Sequence, residues 1–361
     1  MQSGKFKMKK SLTKEVINAF SQPDEMYTIE QLGNGLINHT FKLSEKKSGK
    51  TLLVQQINKN VFKRPEDVQY NYLKLWQYKN GTKEIRFPSP VELKNSEALF
   101  IDSDGNYWRA FEFLNDTETL NVPHNAEQAY TTAKTFGQIT AFLSSFDAEE
   151  LNIVIPDFHN LSFRYKQFED SLKNANQERL KKAASLINEV QSREKYKNFY
   201  EQIISSPDFL KRVMHHDAKI ANVLFDKKTG HVICAIDFDT TMPGYFFSDL
   251  GDMIRSMACS SDEHNTDFEH LHIRKDFYKA IVSGYTEVMT DYLTEKEKKY
   301  IHSAGLIMIY MQAVRFIADY LNNDIYYQIS YKEQNFDRGL NQITLLKNLE
   351  QFLSEEYNFS L

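Results

Sequence analysis

Cysteine is scarce: Cys234 and Cys259 are the only two in 361 residues. They form no CxxC pair and no cluster with histidine, so a zinc site is not expected, and such sparse usage fits a reducing, cytoplasmic compartment. Basic blocks are missing as well. Lys and Arg are scattered and the formal net charge is -5, which argues against nucleic acid as the main partner. The opening "MQSGKFKMKKSLTKEV" is basic without an apolar core, so it does not read as a signal peptide; Met8 stands as an alternative start, with residues 1–7 an added segment. The longest apolar stretch, residues 302–321, carries His302, Gln312, Arg315 and Asp319 and predicts a buried helix rather than a membrane span. No internal repeat or low-complexity tract is present. What remains is an ordinary globular composition, 41% hydrophobic and 26% charged, enough for one large domain or two lobes.

The pattern along the chain changes once. Up to Leu114 it is strand-rich: "MYTIEQLG", then a hairpin from alternation in residues 39–43, the turn "KKSGK" and the run 51–54. A helix follows in "PEDVQYNYLKLWQYK", with Pro65 in its first turn and Val68, Tyr72, Leu75 and Trp76 at helical spacing. "ALFIDSDGNYWRAFEFL" reads as a second hairpin turning at "DSDGN". Beyond residue 114 helical patterns dominate: residues 125–146, one long charged stretch over 162–204, and nearly everything after 240.

One segment interrupts the helical part: "RVMHHDAKIANVLFDKKTGHVICAIDFD". Val223–Phe225 and Val232–Ile236 predict two strands joined by the turn "DKKTG". A hairpin brings its two ends together, so Asn222 and Asp237 are expected side by side, with Asp217 on the loop before them. Phosphoryl transfer from ATP needs a carboxylate to take the proton of the attacking hydroxyl and hard oxygen ligands for Mg²⁺. Asp217 fits the base, Asn222 and Asp237 fit the metal pair, and Lys219 can balance charge on the transferred group. An H-x-D-x-x-x-x-N string alone arises by chance; its conjunction with the hairpin and the second aspartate carries the reading.

These segments resemble the aminoglycoside phosphotransferase and choline kinase branch of the protein-kinase-like superfamily. "GNGLINHTFKL", "QQINKNVF", "HHDAKIANVL", "IDFDTTMPGYFFSDLGDMIR" and "RFIADYLNNDIYYQI" are similar to one group within it, the N-acetylhexosamine 1-kinases. The resemblance implies an α+β, two-lobed kinase-like fold: residues 1–114 as a strand-rich nucleotide-binding lobe and 115–361 as a mainly helical catalytic and substrate-binding lobe. It implies ATP as co-substrate, Mg²⁺, Asp217 as base, and Asp249 as a brace for the catalytic loop. Gly33, Asn34 and Gly35 match the loop over the phosphates, and Glu112 and Leu114 the segment that meets adenine. Asp239 stands where kinases usually have the glycine of their metal motif. The strand lysine of kinases is missing: Gln55 and Gln56 stand there, with Lys59 beyond the strand, and Gln69, Tyr70 and Asn71 occupy the helix where its glutamate partner belongs.

For the acceptor, the resemblance assigns sugar contacts to Arg315 and Tyr326, with His216 and His39 as further candidates. Residues alone read Arg315 and Asp319, four apart on one helix, as an intrahelical ion pair. "DFHNLSFR" (157–164) and Asp252 with Arg255 are additional candidates. His215 is expected to pack and hold the loop. The expected partners are thus a small sugar and a nucleotide, with neither nucleic acid nor membrane. The alternatives are another hydroxyl acceptor (an aminoglycoside, choline or homoserine-like molecule) on the same chemistry, and a non-catalytic binder on a kinase-like scaffold.

Overall fold

The computed structural model describes residues 12–21, 26–32, 37–79, 81–82, 84–93 and 97–361. The chain forms two compact units, one of Met1–Thr117 with Asn152–Ile155 and one of Glu118–Leu151 with Pro156–Leu361.

The first unit is built on an antiparallel sheet. In chain order its elements are α1 (Lys14–Phe20), β1 (Tyr27–Leu32), β2 (His39–Glu45), β3 (Thr51–Ile57), α2 (Pro65–Lys79), β4 (Phe100–Ile101) and β5 (Tyr107–Glu112), and the strand order is β1-β2-β3-β5-β4. Both predicted hairpins form. In the second, Asp102 Oδ1 accepts from the amides of Asp104 and Asn106, and Gly105 takes the left-handed conformation (φ 69°). Strand alternation sends Phe41, Leu43, Leu52, Val54, Trp108 and Ala110 to one face, where they pack on Leu12, Val16 and Phe20 of the α1 region. The opposite face carries Thr40, Gln55, Arg109 and Phe111, and α2 reaches it through Tyr72, whose ring stands edge-on to Phe111 at 4.9 Å. Asn71 of α2 exchanges two hydrogen bonds with the backbone of Asn152, both 2.8 Å.

The second unit is mainly helical. After β6 (Thr117–Glu118), at the division between the units, come α3 (Ala126–Phe142), α4 (Leu161–Asn174), α5 (Gln177–Gln191) and α6 (Lys195–Ser205). The stretch expected as one long helical region is thus three helices. Asn176 ends the first break by capping α5, its side chain accepting from the Arg179 amide, and the chain turns again at Ser192. Next come β7 (Arg212–Met214), β8 (Val223–Asp226), β9 (Val232–Ala235) and β10 (Met242–Gly244), then α7 (Phe247–Met257), α8 (Lys275–Met289), α9 (Glu295–Lys299), α10 (Ser303–Leu321) and α11 (Gln334–Tyr357). β7 pairs with β10, a strand the sequence reading did not anticipate, and β8 pairs with β9 as expected.

α10 is the core of this unit. It is long and apolar enough to cross a membrane by length and composition, yet every residue but Gln312 is buried in the fold. α7 crosses it closely at Gly251, where a Cβ would lie 2.4 Å from the Ala304 carbonyl oxygen.

Candidate active site

The loop between β7 and β8 is fixed from both ends. Arg212, 5% exposed, makes a two-pronged ion pair with the fully buried Glu297 (2.7 and 2.8 Å). Glu297 also accepts from the amides of Leu210 and Thr294, closing the capping box that starts α9. At the other end, the Ile236 amide bonds the Asn222 carbonyl at 2.9 Å, so the β8–β9 hairpin holds Asn222 beside the residue preceding Asp237. Asp237 itself sits in left-handed backbone, φ 62°.

Between these anchors the loop is held by Asp249 of α7. Its carboxylate accepts from the amides of His215 (2.9 Å) and His216 (2.7 Å). Burial pushes its pKa up to about 7, although both amides and their hydrogen bonds pull the other way. His215 holds the loop as expected. One ring nitrogen meets the Ile236 carbonyl and the other the Asp217 amide, its own carbonyl accepts from Thr240 Oγ1, and its ring packs on Phe136 and Phe238.

This scaffold presents the Asp217 carboxylate. Its Oδ2 receives Lys219 Nζ at 2.9 Å and Asn222 Nδ2 at 2.8 Å. Both of these donors fall on Oδ2, which leaves Oδ1 to accept a proton. Burial works against the charge of Lys219, but the Asp217 carboxylate, with Asp252 and Asp237, holds its ammonium above the ordinary range. The Asn222 amide nitrogen is spent on Asp217, bonding its carbonyl as well as Oδ2. That leaves the amide oxygen of Asn222 as a hard donor near the hairpin end that carries Asp237. No group of three His, Cys, Asp or Glu side chains able to hold a metal occurs among the described residues. An amide oxygen and one carboxylate suit Mg²⁺, which takes its remaining ligands from water and phosphate. Asp239 is buried on the turn after Asp237.

His216 departs from the expectation that it faces the sugar. It takes φ 63°, and its ring is 95% buried against Ser248 (2.6 Å), His159 (3.2 Å) and Gly244, where a Cβ would lie 2.5 Å from the ring. Burial drives its pKa down to about 4 and that of His159 well below the usual value, so both rings are neutral. His159 in turn stacks on Phe158 at 4.5 Å.

Phe158 leads to Arg315. The Arg315 guanidinium lies over the rings of Phe158 (5.6 Å), Tyr326 (5.9 Å) and Tyr327 (5.6 Å). The intrahelical Arg315–Asp319 pair does not form. Asp319 instead accepts from the amides of Tyr326 and Tyr327 and from Asn335, so it shapes the turn after α10. Arg315, Tyr326 and Arg164 line one cavity of about 350 Å³. Of the other candidates, Arg255 is neutralised internally, bound to Asp252 and to Glu263.

In the first unit, Gly33, Asn34 and Gly35 lie outside the described residues. Gln55 sits on β3 opposite Arg109 of β5, and its carbonyl oxygen accepts from Arg109 Nε (3.2 Å) and Nη2 (3.0 Å) while its amide donates to Thr40. The sequence reading found no positive charge at this position on β3; the neighbouring strand supplies one, 54 residues away. Lys59 donates instead to the Gly105 carbonyl, and Gln69 is buried. The Glu112 carboxylate accepts from the Ser89 amide, the Leu114 carbonyl from Thr117 Oγ1, and His39 opens β2 opposite Gln56.

A family model described as phosphotransferase enzyme family matches residues 28–277. The chain belongs to that family. Among solved structures the phosphotransferase is similar to an aminoglycoside phosphotransferase from Alicyclobacillus acidocaldarius, with TM-score 0.66, 12% identity, and coverage of 98% of this chain and 100% of the other. A microcompartment-associated aminopropanol kinase follows at TM-score 0.61 and 13% identity, covering 95% and 97%. A spectinomycin phosphotransferase in complex with ADP and spectinomycin gives 0.59 and 12%, also covering 95% and 97%. These likenesses agree with the α+β architecture of a strand-rich first unit and a helical second one. Arg109 and the buried histidine pair were beyond the sequence reading, because both depend on contacts between distant segments.

Proposed function

We propose that this phosphotransferase is an ATP- and Mg²⁺-dependent N-acetylhexosamine 1-kinase, acting on the anomeric hydroxyl of N-acetylglucosamine or N-acetylgalactosamine. The observation that carries the reading is Arg315, which lines the cavity and lies over the rings of Phe158, Tyr326 and Tyr327, with Phe158 in turn edge-on to His216 of the catalytic loop at 6.4 Å. Guanidinium donors and aromatic faces suit sugar hydroxyls, an acetamide carbonyl and a pyranose ring. The same arginine repels an ammonium group, which counts against an amino alcohol such as aminopropanol as the acceptor.

The chemistry follows from the loop. Asp217 Oδ1 takes the proton of the anomeric hydroxyl as its oxygen attacks the terminal phosphorus in line, the bond to the bridging oxygen breaks, and ADP leaves. Lys219 keeps the other carboxylate oxygen engaged and places positive charge near the transferred group. Asn222 and Asp237 would hold Mg²⁺, which neutralises the phosphate oxygens when bound. Asp249 and His215 position the base without touching substrate.

The test is incubation with ATP, Mg²⁺ and either sugar, read by mass spectrometry and by a reducing-end assay. Transfer to O1 adds one phosphate and removes the reducing end; transfer elsewhere leaves it. Aminopropanol or an aminoglycoside phosphorylated in place of both sugars would refute the proposal.

A further inference from the structure

The cavity holds a second arginine that the sugar reading does not use. Arg164 of α4 is 7% exposed and Arg315 is 9% exposed, and both guanidiniums line the same space. Their positions in sequence are 151 apart, so the fold brings two like charges together deliberately. Arg164 Nη1 donates to Gln167 (3.0 Å) and Nη2 to the Phe158 carbonyl (3.3 Å), while its Nε–H is buried with no partner. Arg315 donates to Gln312 at 3.1 Å. All of these acceptors are neutral, and neither arginine makes an ion pair with a described carboxylate.

Five other arginines of the unit, Arg212, Arg193, Arg179, Arg255 and Arg338, each bind a carboxylate. Arg274 donates only to the carbonyls of Pro123 and Met257, but it does not line this cavity. Two acids also line the cavity, but both are occupied. Asp170 pairs with Lys173, and the Asp319 oxygens take three N–H donors. Burial, and then the neighbouring charge of Arg315, lower the Arg164 pKa to about 10. A buried pair of guanidiniums with neutral partners is a fork-shaped receptor for an oxyanion, which satisfies both charge and the spare N–H.

We infer that Arg164 and Arg315 form a subsite for an anionic substituent on the acceptor, a carboxylate or sulfate ester carried by the N-acetylhexosamine. This rests on the sugar-kinase reading and narrows it to acidic amino sugars. The cavity, at about 350 Å³, has room for a monosaccharide with one such group.

The experiment compares N-acetylglucosamine with N-acetylglucosamine 6-sulfate and N-acetylmuramic acid. Binding is measured by calorimetry without nucleotide, and kcat/KM with ATP and Mg²⁺. At least one charged sugar is expected to bind tenfold or more tightly than the neutral one, and to lose that margin as salt is raised. Which of the two wins tells sulfate from carboxylate. In Arg164→Gln the charged-to-neutral ratio should collapse toward one, whereas Arg164→Lys, which keeps the charge and guards against a folding defect, should retain part of it. Equal or weaker binding of both charged sugars by the native protein overturns the subsite, even if N-acetylglucosamine is phosphorylated. Tight, Arg164-dependent binding of a charged sugar without phosphorylation upholds the subsite while refuting the kinase reading.

Discussion

Replacing Asp249 with alanine tests whether the loop depends on one buried carboxylate. The substitution leaves the amides of His215 and His216 without their acceptor, and both residues are buried. Two orphaned amides cost about 2–6 kcal/mol together. The carboxylate has its own penalty, however, because burial lifts its pKa to about 7. A carboxyl whose folded pKa is raised binds its proton more tightly in the native state. Its contribution is full below the unfolded pKa and declines as pH rises to about 7. The stability gap between the native protein and Asp249→Ala should therefore narrow by about 2 kcal/mol from pH 5 to pH 7. Turnover, in contrast, should fall at every pH, because the base loses its support. Urea unfolding at both pH values, with hydrogen exchange at the His215 and His216 amides and kcat alongside, provides the readout. A gap that stays flat or widens with pH, or a kcat within threefold of the native value, would refute the reasoning.

Asp217→Asn keeps the side-chain shape but removes the proton acceptor, and phosphoryl transfer should drop by about 10²–10⁴-fold with no loss of melting temperature. Glu297→Ala strands the buried Arg212 guanidinium and should destabilise the second unit by about 3–5 kcal/mol in denaturant titration. His216→Asn, which tolerates the left-handed backbone, tests the neutral histidine. The folded pKa of His216 is about 4, below the unfolded value, so its contribution is present above pH 6.5 and is lost as pH falls toward 4. The native protein should lose about 2 kcal/mol from this group between pH 6.5 and pH 5, and the variant should not. Asp249 acts with the opposite sign in this window, so the informative quantity is the difference between variant and native protein.

What was legible in the sequence was local. Alternation around "KKSGK" and "DSDGN" defined both hairpins of the first unit, and the turn "DKKTG" placed Asn222 and Asp237 at one end of the third. β10 escaped because Met242–Gly244 is three residues long and contains proline, which masks a strand signal; its reason for existing is β7, 28 residues earlier. The three helices over residues 161–205 blurred into one because their charged faces run on, and the asparagine cap at 176 is a weak mark among polar residues. The Arg315–Asp319 pairing failed for a different reason. Spacing on a helix shows which side chains are neighbours, but not that Asp319 has two backbone amides closer to hand. The Gln55–Arg109 contact, and the shared cavity of Arg164 and Arg315, arise only when strands and helices far apart in sequence pack.

The segment Asn152–Ile155 has a practical bearing on how this protein can be divided. The chain leaves the first unit at Thr117, returns for four residues, and leaves again at Pro156, so the two units share three covalent crossings rather than one hinge. A fragment ending at Thr117 would lack the backbone that satisfies both ends of the Asn71 amide in α2. The unit is thus not separable by a single cut, and a free-standing version would need the 152–155 strip supplied as a tethered peptide.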